Sequence, residues 1–543
     1  MPPFLAALAT WLFASEPAPV SWKSPGRLAS RWLFLRALGL IFFSAFDSLV
    51  QQVQGLIGTD GLLPAGGYLE AIKQYAGTSR FWRVPTLFWF RSDSRTLLVL
   101  AWIGMIASLM LVLNFWPRGA IAVCLIVFLS FVAVLQTFSS YQSDGMLLSA
   151  GFISLFFAPR GLRPRWGERH PPSRASIFLL LLVWFTIYFE SGLAKILGGD
   201  PEWRDLTAMD DYYQNGPLPT WIAWYAHHLP HWFHVGTAAF TLALELVLVW
   251  LAVLPRPFRI VLFWLVTSLQ VGIILTGNYA FLNYLVLALG FLLLDDRYLS
   301  WMLPVRLRPQ SAAAVEESKP FARASSQRGT DHRSWLTARR VLRSAGLALA
   351  ALSLTWIFYD VSAQLAWMIF PRAPLPTSPV SYLEPFRIAN RYGPLAVITR
   401  GRYEIEFQGS NDGQSWTVYP FRYKPQDPRR PPGIFAPYQP RFDWNLWSAS
   451  LDNWRQNEFV THVAERLLTG SPSVLSLFAG NPFPAGPPRQ IRAVIWQYWF
   501  TDGAEKQRGF WWQRAFLGLY APTLERESDG KLVITEMNTI RSR

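Results

Sequence analysis

Two ionisable residues, Glu190 and Lys195, stand in the apolar run Ser176–Leu197. A charge at the bilayer centre costs roughly 3 kcal/mol on insertion scales, so a residue of this type has a partner or a task. At 100° per residue the two lie about 140° apart on a straight helix and do not face each other. Ser191, Gly192 and Ala194 between them are small and admit a neighbouring helix closely. A buried lysine of this kind can serve as a general base or anchor an anion. The plainer reading has Lys195 snorkelling to the headgroups while Glu190 pairs with an arginine elsewhere. Further along, His227, His231 and His234 recur at i, i+4 and i+7, a spacing that suits zinc on one helix face. Pro230 interrupts that face, so the plainer reading is interfacial histidines beside the aromatic belt of Trp221, Trp224, Tyr225 and Trp232. No metal is expected. Phosphate-loop GK[ST], Gly-x-Ser-x-Gly, HExxH and CxxC motifs are absent, so no cofactor is expected either.

The elements that must position these residues are membrane helices. The chain has 543 residues, 51% hydrophobic and only 16% charged, against roughly a quarter charged in soluble domains. Its 27 tryptophans fit the same setting, because Trp favours the membrane interface. The net charge of +15 does not imply nucleic acid: no reader motif accompanies it, and much of the excess lies in short loops between apolar runs. Cys124 is the single cysteine, which excludes an intramolecular disulfide. No Asn-x-Ser/Thr sequon occurs, which leans towards a bacterial inner membrane. No basic residue precedes the apolar piece Phe4–Phe13, so a cleaved signal peptide is not expected.

Runs near the ~20 residues that cross the hydrocarbon fall at Trp32–Val50, Leu97–Leu113, Gly119–Phe138, Met146–Phe157, Ser176–Leu197, Val235–Leu254, Phe258–Thr276, Tyr279–Leu294 and Gly346–Phe370, about nine in all. With a cytoplasmic N-terminus, the loops holding Arg118, Arg160 to Arg174, Arg256 and Arg297 to Arg340 fall inside, as positive loops should. The loop after Leu197, with Asp200, Glu202, Asp205, Asp210 and Asp211, falls outside, together with everything after Phe370. Gln51–Thr96 departs from the pattern, being basic yet outside. The expected organisation is an N-terminal segment (1–30), a membrane helical domain (31–298), a basic cytoplasmic linker (299–342), a last transmembrane helix (343–370) and a non-cytoplasmic C-terminal domain (379–543).

That last domain reads as a β-rich α+β unit. Tyr403, Ile405 and Phe407 alternate with Glu404 and Glu406, the period of a half-buried strand. Ser410–Gly413 supplies a turn, Trp416–Tyr419 a returning strand, and Ile491–Phe500 another strand. Trp444–Leu468 has a helical period.

Residues in order along nearly the whole chain resemble the lipase maturation factor family. They include FLRALGLIFFSAFDSLVQQVQGLIGTDGLLP at Phe34–Pro64, SGLAKILGGDPEWRDLTAM at Ser191–Met209, PLPTWIAWYAHHLP at Pro217–Pro230 and GNYAFLNYLVLALGFLLLDD at Gly277–Asp296. The C-terminal domain adds IANRYGPLAVITRGRYEIEFQGSNDGQSW, PYQPRFDWNLWSASL and NPFPAGPPRQIRAVIWQYWF. The resemblance implies a multi-pass membrane protein that helps exported clients, lipases in animals, to fold and assemble at the endoplasmic reticulum membrane. Where that family has a histidine and Thr-Gln ahead of Pro-Leu-Pro, this chain has Tyr212-Tyr213-Gln214-Asn215-Gly216. The expected partners are the lipid bilayer and an exported, lipase-like client; the oligomeric state stays open. Trp203, Asp205 and Tyr212 in the loop, with Trp416, Trp444 and Trp447 in the outer domain, are the expected client contacts. The family is also distantly similar to the membrane part of vitamin K-dependent carboxylases, through Gly192, Lys195 and Trp203. That similarity implies the alternative, a membrane enzyme using Lys195 as base with Glu190.

Overall fold

The computed structural model describes residues 26–302, 332–393, 396–527 and 530–536, the side chains of 300, 302 and 332–346 excepted. Most of the expected linker, and the N-terminal segment up to residue 25, lie outside the described residues.

The membrane part is a bundle of helices: α1 Leu28–Ile57, α2 Ser94–Val112, α3 Pro117–Val132, α4 Gln142–Phe157, α5 Arg174–Leu197, α6 Ala208–Asn215, α7 Trp221–His227, α8 His231–Leu246, α9 Arg256–Thr276, α10 Leu282–Gly290 and α11 His332–Ile369. Local chemistry sets several of their ends. Asp93 caps α2 by accepting from the Arg95 and Thr96 N–H groups, and Ser173 caps α5 through the Ser176 N–H. Proline opens α3 and α9, where a missing N–H is harmless. Among the described residues five helices are long and apolar enough to cross a membrane: α1, α2, α5, α9 and the Leu347–Ile369 part of α11. Pro117–Val132 and Leu282–Leu293 are apolar but shorter. The nine expected runs all overlap helical backbone, and among the described residues length and apolar composition suit five helices to crossing.

The bundle has two distinct ends. At one, Asp296 caps α1 by accepting from the Leu28 and Ala29 N–H groups, both at 2.8 Å. Arg31 there donates to the Trp166, Gly167 and His170 carbonyls, and Arg118 to Ala158. At the other end sits the C-terminal domain. Its sheet has strands β1 Arg402–Ser410, β2 Thr417–Val418, β3 Gln490–Phe500, β4 Trp512–Arg526 and β5 Leu532–Glu536, in the order β2-β1-β3-β4-β5, all antiparallel. Helices α12 Arg441–Ala449 and α13 Phe459–Leu468 pack with it.

Two sequence expectations are corrected here. β1 is not half-buried: Glu404 and Glu406 are as buried as Ile405 and Phe407, because the chain from Tyr419 onwards covers their face. Each carboxylate is matched by a cation. Glu404 takes Arg402 and Lys424, both at 2.6 Å, and Glu406 takes Arg514 at 3.3 Å. The single helix expected over Trp444–Leu468 is two, because the Asn453 side chain accepts from the Arg455 and Gln456 N–H groups and turns the chain between them. β4 carries no sequence expectation, since Gly518, Pro522 and its bulged pairing with β3 blur any period of two.

The two parts are joined by buried polar contacts. Arg441 at the start of α12 is fully buried and forms a two-pronged pair with Asp144 of α4, at 2.8 and 2.9 Å, while donating to the Phe138 carbonyl. Gln52 of α1 donates to the Gln439 carbonyl and accepts from the Phe442 N–H. Asn278, between α9 and α10, donates to Gly433 and accepts from Phe435 and Ala436. Removing one partner of a buried pair strands the other charge, at a cost of about 3–5 kcal/mol. Arg441→Ala is expected to lower the unfolding temperature and to expose the outer domain to limited proteolysis. Asp144→Ala should do the same, and the double variant should lose less than the sum of the two.

Candidate functional site

Helix α5 carries both ionisable residues, but they go to different partners. A Cβ on Gly192 would sit 2.9 Å from the Glu245 Cβ and from Leu246, so only glycine lets α8 approach α5 this closely. That approach brings Glu245 to Lys195, with the ammonium 2.9 and 2.8 Å from its two oxygens. Lys195 is 3% exposed, and the indole of Trp203 lies under it with its ring centre 5.0 Å away. The lysine therefore does not snorkel. Glu190, fully buried, accepts from the Tyr392 N–H at 2.6 Å rather than from an arginine side chain.

Beside the ion pair lies a partly open cavity of about 290 Å³ between α4, α5, α9 and α10, roofed by Gln439, Trp444 and Trp447 of the outer domain. The Tyr188 hydroxyl accepts from Gln270 at 2.9 Å, and the Gln270 oxygen accepts from Asn283 at 2.6 Å. Tyr212 stacks on Tyr279, and Tyr279 packs against Trp444, which touches Trp447. Of the residues expected from sequence, Lys195, Trp203, Tyr212, Trp444 and Trp447 thus meet in or around one site. Trp203 and Tyr212 are buried there, so neither offers a free surface. Asp205 is exposed on the loop, and Trp416 sits beyond the cavity near β2 with the Arg492 guanidinium stacked on it at 4.0 Å.

The loop is clamped to the sheet through the residues where this chain departs from the family pattern. Arg402 is fully buried and donates to the Gln214, Gly216 and Pro217 carbonyls while lying over the Trp512 ring. Gln214 accepts from the Phe500 N–H, and Asn215 donates to the Thr399 carbonyl. Burial lowers the pKa of the Arg402 guanidinium, an effect partly countered by Glu404.

The histidines do not form one face. α7 ends at His227, and His231 opens α8 beyond Pro230. His231 and His234 both lie against Asp210, and the second ring nitrogen of His234 is 3.0 Å from the Ala226 carbonyl. With both its nitrogens engaged, His234 has none left for a metal. Among the described residues no group of three or more His, Cys, Asp or Glu is arranged to hold one. Burial pushes Asp210 upwards, but its hydrogen bonds to His234 and His231 outweigh this and hold it below the usual carboxylate range. His227 packs against Phe500, and burial lowers its pKa to about 4.

Sequence reasoning missed Glu245, Gln270 and Asn283. Each is a polar residue inside an apolar run, the same signal that singled out Glu190 and Lys195.

A family model described as Lipase maturation factor transmembrane domain matches residues 29–301, and one described as Lipase maturation factor C-terminal domain matches 388–522. The chain belongs to the lipase maturation factor family. Relatives of this family include lipase maturation factor 1 of Bos taurus, 34% identical over 518 residues that cover 92% of this chain and 89% of the relative. Lipase maturation factor 1 of Homo sapiens is 31% identical, covering 94% and 93%. Lipase maturation factor 2 of Gallus gallus is 30% identical, covering 91% and 81%. No solved structure matches the chain. In this family member, then, the buried ion pair and its cavity lie within the matched transmembrane domain and are roofed by the matched C-terminal domain.

Glu245→Gln should strand the Lys195 ammonium and cost about 3–5 kcal/mol, read as a lower unfolding temperature in detergent, whereas Lys195→Met with Glu245→Leu should recover most of that loss. The pH response follows from His227. Its folded-state pKa lies below the unfolded value of about 6.5, so its contribution to stability is complete above that pH and fades as pH falls towards 4. His227→Phe keeps the packing on Phe500, and unfolding temperatures measured across that window should fall less steeply than in the parent.

Proposed function

We propose that this chain is a membrane-embedded maturation factor that assists the folding or assembly of exported proteins, lipase-like clients among them. The names of the relatives support the role. The observation that carries it is the rigid seating of the outer domain on one end of the bundle through Arg441, Asn278 and Arg402. A folding platform needs such a fixed surface beside the membrane, where an incoming chain emerges. Trp444, Trp447, Trp416 and the loop around Trp203, Asp205 and Tyr212 are the client-facing set, the buried members shaping the site and the others meeting the client.

The proposed topology has nine spans, a cytoplasmic N-terminus and the outer domain (379–543) on the non-cytoplasmic side. The basic residues Arg31, Arg118 and Arg256 at the opposite end of the bundle support this sense, because positive charge marks the cytoplasmic side. The membrane is the inner membrane of a bacterial owner, or that of the endoplasmic reticulum if the owner is eukaryotic. The carboxylase-like reading gains no support: the relatives are maturation factors, and both oxygens of Glu245 hold the Lys195 ammonium.

Deleting residues 379–543 would expose the polar sockets of the bundle, so the cleaner test acts on the surface. Trp416→Ala, at a half-exposed position, is expected to leave membrane insertion and unfolding temperature unchanged and to lower the yield of active co-expressed client. Client yield unchanged in Trp416→Ala, Asp205→Ala and the double variant would reject this client-facing set.

A further inference from the structure

We propose that the seam between α2 and α3 is a lipid-binding groove that holds an acyl chain of one phospholipid with a net negative headgroup. The turn joining the two helices lies at the basic end of the bundle, opposite the outer domain. From that turn an open cavity of about 230 Å³ runs along the seam. Its floor is Ala107, Gly119 and Ala120, all buried and too small to fill the space between the helices. Ile106 and Met110 wall it, and Trp116 lines its end at the turn. From Ile103 to Met110 it follows about 10 Å of helix. Ile103, Ile106 and Leu109 are exposed on α2, a helix long and apolar enough to cross a membrane, so this face looks onto hydrocarbon. Every side chain lining the groove is apolar but for the Trp116 indole N–H. Water there would lack the two to four polar partners it needs, whereas an acyl chain needs none.

The headgroup end selects the charge. Trp116 has φ +44°, a left-handed conformation that a bulky residue keeps only where its surroundings hold it. The Leu162 carbonyl accepts its N–H at 2.7 Å, and its ring lies over Gly119, where a Cβ would run into it. The same hydrogen bond draws the loop after α4 onto the turn. Asn114 donates to the Arg165 carbonyl at 2.6 Å, the Arg163 guanidinium lies over the Phe115 ring, and Arg118 donates to the Ala158 carbonyl. Arg118, Arg163 and Arg165 thus stand around the turn where the groove begins. None of them forms an ion pair among the described residues, and Glu168 is the one acid against five arginines between Ala158 and Ala175. α3 starts here without a side-chain cap, so the positive end of its dipole adds to the same field. Basic pockets between membrane helices take anionic headgroups in this way. A choline headgroup would bring its own cation to the rim. The inference rests on the membrane setting and not on the client reading above.

The test uses the full chain in phosphatidylcholine nanodiscs doped with a phosphatidylglycerol or a phosphatidylcholine probe, each bearing a diazirine in one acyl chain. At equal mole fraction, crosslinking and peptide mass spectrometry should find the phosphatidylglycerol probe on Ile103–Val123 about tenfold more than the phosphatidylcholine probe, and unlabelled phosphatidylglycerol should displace it. Arg163→Gln with Arg165→Gln changes two exposed side chains and should leave the unfolding temperature nearly unchanged. It should bring phosphatidylglycerol labelling down to the phosphatidylcholine level, since each arginine near a lipid surface is worth about fivefold for an anionic headgroup. Ala107→Leu fills the floor and should cut labelling about tenfold or more, because each methylene kept out of an apolar site weakens binding about fourfold. Val123→Phe, at a half-buried wall position, is the second filling variant if the first elutes aggregated. Equal labelling by the two probes, or phosphatidylglycerol labelling that survives both filling variants, would overturn the proposal. So would disulfide cross-linking of two copies through Ile106→Cys, which would assign the groove to a second copy of the chain.

Discussion

Arg441 is buried in the outer domain, yet the carboxylate that neutralises it belongs to Asp144, 297 residues earlier on a helix of the bundle. Losing Asp144 alone would leave that guanidinium buried without its counter-charge, so the seated interface needs both residues. The same arrangement recurs. Arg402 in the sheet spends its donors on the carbonyls of the loop after α6, and Asn278 between two membrane helices satisfies three backbone groups of the chain leading to α12. Each contact crosses between elements far apart in sequence. Together they make the outer domain a continuation of the bundle.

The loop from Asp200 to Pro230 is where these constraints converge. Asp200 accepts from the Ile398 N–H, Glu202 pairs with Arg400, and Trp224 donates to the Thr501 carbonyl. Lys506 inserts its ammonium among Trp224, Tyr225 and Trp511, each ring centre within 4.5 Å. Such cation–aromatic contacts hold a surface helix to the loop without demanding a buried carboxylate. Of the loop's acidic residues Glu202 meets Arg400 and Asp210 meets His231 and His234, while Tyr212 turns inward onto Tyr279 of the cavity wall. One segment thereby touches the ion pair in the bundle, the wall of the cavity and the outer domain.

Within that frame the fold and part of the site were legible. Apolar run length located the helices, because a membrane-crossing helix must hide its backbone along its whole length and shows this as an unbroken stretch. The strands Arg402–Ser410 and Gln490–Phe500 showed through their composition, and Lys195 through the oddity of a cation in an apolar run. Its partner was harder to see. Glu245 sits 50 positions away, and the pairing depends on how closely Gly192 lets two helices approach. β1 misled for a related reason: alternation of charged and apolar residues reads as one wet face, but a covering loop with its own lysine makes that face a second core.

The sequence alone determined that the chain lives in a membrane, roughly where its helices lie, that a sheet domain follows them, and which family it resembles, since these depend on local composition and order. Tertiary structure decided which buried charge meets which, that the outer domain is fastened to the bundle, and that a cavity opens beneath Trp444 and Trp447. The physical reason is that hydrophobic patterning is a property of neighbours along the chain. Charge neutralisation and cavity shape are properties of surfaces that meet only after the chain has folded.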